Sequence, residues 1–272
     1  MTAFALNHMA APRLDAVAFL DLAAALGCIG VEFRNDLGRP LFDGRDPAAV
    51  REAAAARGLR ILALAEVKMF NDWSPAKAAE ARALMAIAVA CGAEAVSLIP
   101  RNDGEGMEEG HRRAILRRAL SELKPMLEDH GLLGMVEPLG FATCALRYKA
   151  EAVEAIEAVD GAGRFRLVHD TFHHHLAGGG PLFAAHTGIV HVSGVTDPAL
   201  AADEMRDGHR VLVDAADRLG NVAQIAALRA AGYDGPVSFE PFAESVHALA
   251  DPGPALARSM EFIRSGLAAQ AA

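Results

Sequence analysis

Short apolar runs alternate along this chain with longer stretches whose apolar residues recur at helical spacing. Phe4-Ala5-Leu6 predicts a first strand, and the Pro12-led stretch from about 13 to 26 sets Leu14, Val17, Leu20, Leu22 and Leu26 near helical spacing before Gly27 stops it. Ile29 through Arg34 predicts a second strand, residues 47–57 a helix closed by Gly58, and Arg60 through Ala65 a third strand. Pro75 opens an Ala-rich helix ending at Cys91-Gly92, and Ala95 through Pro100 reads as strand four. A charged helix over roughly 108–130 precedes the strand Leu133-Gly134-Met135-Val136-Glu137. Helices at Lys149–Val159, near 181–186 and over 219–231 then alternate with strands ending at Asp170, His191 and Glu240. A last helix covers about 253–267, and the terminal Ala-Ala-Gln-Ala-Ala is expected to fray.

Eight strand-then-helix units in one run imply a parallel sheet with helices outside it. Their number and the chain's 272 residues predict an α/β fold, a single (β/α)8 TIM barrel spanning residues 1–272 as one domain. An open doubly wound sheet would carry a Gly-rich turn after strand one, whereas the turn here is Asn7-His8-Met9-Ala10-Ala11. No linker, charge block or low-complexity segment divides the chain.

The predicted strand ends hold the candidate chemistry. Strands five to eight finish in Glu137, Asp170, His191 and Glu240. A carboxylate ending an apolar strand is costly unless something pairs with it, and a barrel gathers such ends at one mouth. Three oxygen ligands and one imidazole suit one divalent ion, Mn2+, Zn2+, Co2+ or Mg2+. Any one of these residues could instead cap a helix or pair with an arginine; four in succession favour a metal site. His173, three residues past Asp170, is expected to hydrogen-bond a substrate oxygen, while His174 and His175 receive no role. Arg34, Asn71 and His8 sit at other strand ends as further substrate-binding candidates. The long 196–220 connection reads as a lid or binding loop, with Arg210 expected to reach the substrate.

Composition narrows the partners. A formal charge of −9 argues against nucleic acid or an anionic membrane. Cys28, Cys91 and Cys144 form no CxxC pair, so neither a disulfide framework nor a zinc ribbon is indicated. The N-terminus lacks the basic start and apolar run of a signal peptide, and no apolar stretch nears the ~20 residues of a membrane span. A soluble, cytoplasmic protein acting on a small molecule is expected, with a homo-oligomer left open.

With these residues in view, the chain resembles the xylose isomerase-like TIM-barrel superfamily of sugar isomerases and epimerases, and within it the inosose (2-keto-myo-inositol) isomerases of inositol catabolism. The resemblance runs from Asn7 to Phe242 and is carried by Val31-Glu32-Phe33-Arg34, Ala65 through Asn71, Glu137 followed by Cys144, Asp170 through His175, and Val237-Ser238-Phe239-Glu240. It implies metal ligands at Glu137, Asp170, His191 and Glu240 and a substrate-binding histidine at His173. The implied reaction moves a carbonyl between adjacent carbons of a polyhydroxylated ketone through an enediolate, converting scyllo-inosose to 1-keto-D-chiro-inositol. Glu137 and Glu240 are the implied acid–base pair, with the first base undecided. Two positions depart from the pattern: ketose 3-epimerases carry a substrate arginine where this chain has Asp197, and His8 stands where an acidic residue is expected. Ketose 3-epimerase, hydroxypyruvate isomerase and inosose dehydratase are rival activities on the same scaffold. An abasic-DNA endonuclease and a non-catalytic metabolite-binding barrel are more distant alternatives.

Overall fold

A computed structural model describes residues 2–270. Eight parallel strands close into a barrel in sequence order, β1 (Phe4–Asn7), β2 (Gly30–Arg34), β3 (Arg60–Lys68), β4 (Ala95–Ile99), β5 (Leu133–Val136), β6 (Phe165–Asp170), β7 (Thr187–Val192) and β8 (Val237–Phe239), with β8 pairing back to β1. The expected TIM-barrel architecture is what the chain adopts. Among the described residues no helix is long and apolar enough to cross a membrane.

The helices start and stop where short-range chemistry directs. Asp15 caps α1 (Ala16–Ala25), Asp46 caps α2 (Pro47–Ala55) and Ser74 caps α3 (Pro75–Cys91), each side chain accepting first-turn N–H groups. Glu108 does the same for α4 (Glu109–His130), which ends at Gly131 in the left-handed conformation, φ 67°. α5 (Lys149–Ala158) follows β5. Leu120, Leu123 and Leu127 of α4, with Leu20 and Met85 of α1 and α3, bury against Leu64, Leu98 and Phe239 on the outer face of the sheet. A smaller cluster of Ala5, Leu62, Ala63, Ala95, Met135, Val168 and Ile189 makes the barrel's interior plug, so the polar strand ends sit above an apolar floor.

Three expectations change. β3 continues to Lys68, which carries Glu66 and Val67 into the sheet. The helix expected at 181–186 is only a 3-10 turn, Ala184–His186; the helical segment is instead α6 (Thr171–Leu176), directly after β6. Its six residues are poor nucleators on their own, and Asp170 holds them by accepting the His173 N–H at 3.0 Å. α7 (Asn221–Ala230), α8 (Glu244–His247) and α9 (Gly253–Gln270) complete the chain. Of the tail expected to fray, Ala268 to Gln270 remain helical, and Ala271 and Ala272 lie outside the described residues.

Candidate metal centre

Sheet register brings the four strand-end residues together. Asp170 lies level with His191 across β6 and β7, and the Glu240 N–H donates to the Val192 carbonyl at 3.0 Å just beyond β8. Glu137 follows β5 with its N–H on the Leu98 carbonyl, 3.2 Å away. One ligand atom from each of Glu137, Asp170, His191 and Glu240 falls within 4.8 Å of the others, and all four side chains are buried.

The imidazole has a defined orientation. His191 Nε2 lies 3.1 Å from both oxygens of Glu32, and the Ser238 hydroxyl donates to Glu32 Oε1 at 2.6 Å. Glu32 therefore takes the Nε2 proton, leaving the Nδ1 lone pair facing Glu240 Oε2 at 3.2 Å and Glu137 Oε1 at 3.8 Å. Nδ1 is buried and meets neither with hydrogen-bond geometry. A lone pair aimed at carboxylates is repelled unless a cation or a proton lies between them. The donor set fits a divalent ion: three oxygens and one nitrogen, the nitrogen backed by an outer carboxylate.

Electrostatics agree with that fit. Burial opposes a charged imidazole, yet Glu32, Glu240 and Glu137 outweigh it and hold the His191 pKa well above the ordinary value. Burial raises the Glu137 carboxyl, with His191 opposing and the Glu240 charge adding. Burial also acts on Glu240, but His191, Arg210 and Arg34 win and hold its carboxyl well below the usual range. The two glutamates are thus unequal.

Both arginines read from the sequence meet this cluster. Arg34 donates to Glu240 Oε1 at 2.7 Å and to both oxygens of Asp36. Arg210 donates to Asp170 Oδ2 at 2.6 Å, to Glu240 Oε2 at 3.1 Å and to Ser193 Oγ at 2.9 Å. Its guanidinium also lies over the rings of Phe172 and Phe242. A two-bond bridge between Gly194 and Val211 folds the long loop back onto the segment just after β7, which is how a residue distant in sequence reaches Asp170.

A cavity of about 380 Å³ opens above the cluster, lined among others by Arg34, Glu66, Glu137, His173, Arg210 and Glu240. Leu139, Phe141 and Phe242 supply its apolar lining, with Phe242 lying against the guanidiniums of Arg34 and Arg210. His173 is buried between the edges of Phe141 and Phe172 with its Nδ1 unpartnered. Burial lifts the Glu66 carboxyl to about 7 despite Arg34 at 3.5 Å. Gly140 lets this lining form: a Cβ there would stand 2.1 Å from the His173 carbonyl oxygen.

Two candidates lie away from the cavity. His8 stacks on Phe19 at 4.2 Å and contacts the Leu14 carbonyl at 3.0 Å, so it packs between the barrel and α1. Asn7 occupies that strand end instead, donating to Glu240 Oε1 at 3.1 Å. The chain turns into a 3-10 segment after Asn7, which directs His8 outward. Asn71 is fully buried and accepts the Arg101 N–H at 2.7 Å, fixing a loop rather than lining the cavity. Sequence reasoning gave no site role to Glu32, Ser238 or Asn7. A charge between Val31 and Phe33 in a buried strand was a usable signal for Glu32, because Glu32 and Arg34 share one face by strand alternation.

Residues 20–266 match the family described as xylose isomerase-like TIM barrel. No curated protein sequence matches the chain. Among solved structures, a xylose isomerase domain containing protein from Salmonella typhimurium LT2 is similar at 29% identity and TM-score 0.89, over 98% of this chain and 97% of that one. The IOLI protein with a zinc atom bound is similar at 18% identity and TM-score 0.86, over 98% and 99%. D-psicose 3-epimerase with D-tagatose, from Clostridium cellulolyticum H10, is similar at 14% identity and TM-score 0.73, over 98% and 99%. At these last two identities the likeness is one of fold.

Proposed function

We propose that this chain, which belongs to the xylose isomerase-like TIM barrel family, is a divalent-metal-dependent isomerase that moves a carbonyl between adjacent carbons of a polyhydroxylated ketone. The substrate we assign is 2-keto-myo-inositol, with 1-keto-D-chiro-inositol as product. The observation that carries the reading is the inward lone pair of His191, set by Glu32 and surrounded by three carboxylates. The zinc atom bound in the similar IOLI protein supports a metal in this chain.

Glu137, Asp170, His191 and Glu240 would hold the ion. When bound, it supplies Lewis-acid polarisation of a carbonyl. Glu240 accepts hydrogen bonds from Asn7, Arg34 and Arg210, which makes it a firm anion and a weak base. Among the described residues no arginine or amide donates to the Glu137 carboxylate; the His191 imidazole stands 3.8 Å from it, and burial makes it the more basic of the two. We therefore assign the first proton removal to Glu137, which can return the same proton to the neighbouring carbon on the same face. His173 and the rim of Arg34 and Arg210 orient substrate oxygens, while Phe141 and Phe242 meet the ring's C–H face and exclude water.

One shuttling carboxylate suits a 1,2-carbonyl shift; inversion at a single carbon calls for a second base on the opposite face. The likeness to D-psicose 3-epimerase keeps ketose 3-epimerisation as the second reading. The deciding experiment is product NMR after incubation with scyllo-inosose and Mn2+, run beside ketohexoses and hydroxypyruvate. A new inosose is expected from the first. Turnover of a ketohexose alone would replace this reading with the epimerase, and full activity in protein shown by elemental analysis to be metal-free would remove the ion from the account.

A further inference from the structure

A second cavity, of about 230 Å³, shares His173 with the first and is lined by residues of β6, α6 and the start of α5. Lys149 at the start of α5 lines it and donates from Nζ to His169 Nδ1 at 2.6 Å. That acceptor is fixed. Gln224 uses its NH2 on the carbonyls of Thr171 and Leu219, so its Oε1 must take the His169 Nε2 proton, 2.9 Å away. His169 consequently offers Lys149 a lone pair and no negative charge. Among the described residues no carboxylate pairs with Lys149, whereas Lys77 pairs with Glu80 and Lys124 with Asp160.

The surroundings favour the neutral amine. Asp170 and His169 face Lys149 from β6, His173 and His174 from α6, and Arg147 and Tyr148 from its own segment. Asp170 is itself matched by Arg210, and its attraction is weaker than the effect of burial, which lowers the Lys149 pKa to about 7. Arg147 lines the same cavity and complements an anionic leaving group.

We propose that Lys149 is a covalent modification site for small acyl phosphates that enter this cavity. In the step, the Nζ lone pair attacks the acyl carbon and a C–N bond forms. The C–O bond to phosphate breaks, phosphate leaves with the bonding pair, and the surplus Nζ proton passes to solvent.

The chain has four lysines, Lys68, Lys77, Lys124 and Lys149, so peptide mass spectrometry resolves each site. The folded protein is treated with acetyl phosphate at pH 7, and site occupancy is followed over time. Lys149 is expected to react at least about tenfold faster than Lys77 and Lys124, because far more of it is unprotonated at that pH. The preference should vanish in urea. Equal or slower reaction at Lys149 in the folded protein would overturn the proposal, and so would a preference that survives unfolding.

Discussion

His191 is oriented by Glu32, and Glu32 is in turn held by the Ser238 hydroxyl. Removing such an outer carboxylate commonly costs about 10–100-fold in metal affinity. Glu32→Gln is therefore expected to weaken divalent-ion binding by about that factor, read by isothermal titration, with the barrel intact by circular dichroism. The inequality of the two glutamates makes a second prediction. Glu137→Gln should retain much of the ion while losing solvent-deuterium exchange at the substrate's alpha carbon; Glu240→Gln should lose both. Exchange at the wild-type rate in Glu137→Gln would return the base role to Glu240. His8 provides a pH prediction: burial, against the Leu14 carbonyl, lowers its pKa from 6.5 to about 4. The folded protein keeps His8 neutral while the unfolded chain takes up a proton below 6.5, so this contribution is present above 6.5 and lost as pH falls towards 4. The Tm advantage of wild type over His8→Gln should accordingly shrink between pH 7.5 and pH 4.5.

At the scale of elements, α6 joins the two cavities. It starts at the Asp170 cap, carries His173, which lines both, and His174, which lines the second, and rests its backbone on Gly140. A methyl group at Gly140 collides with the His173 carbonyl at 2.1 Å, and backbone cannot yield as a flexible side chain can. Gly140→Ala is expected to cost roughly 1–3 kcal/mol and to lower activity by displacing His173, checked by chemical denaturation and substrate titration. Where a helix is expected at 181–186, the chain makes only a 3-10 turn, Ala184–His186. The chain instead places its helix against β6, where capping and packing together favour it.

For the whole molecule, the mouth concentrates charge that a cation would balance. Glu32, Glu66, Glu137, Asp170 and Glu240 are all buried there, against the guanidiniums of Arg34 and Arg210. An ion that binds the folded state alone stabilises it by about 2.7 kcal/mol at a hundredfold excess over Kd. Thermal denaturation should therefore show a Tm that rises with added Mn2+ or Zn2+ and falls back with EDTA. The shift should be small in Glu240→Gln. A wild-type Tm indifferent to both additions would argue against a bound divalent ion.

The alternation of strands and helices, the barrel they make and the strand-end positions of Glu137, Asp170, His191 and Glu240 were legible in the sequence, because periodicity and capping are local and a barrel's strand order follows chain order. Other features depended on closure. Glu32, Ser238 and Asn7 come from β2, β8 and the end of β1, and they converge only because β8 pairs back to β1. The inward nitrogen of His191, the outward turn of His8 and the reach of Arg210 through the Gly194–Val211 bridge likewise belong to tertiary structure. Sequence determined which groups stand at the strand ends, since backbone register carries them there. The direction each side chain faces, and the inequality between Glu137 and Glu240, were decided by neighbours far away in the chain, whose charges and hydrogen bonds act through space.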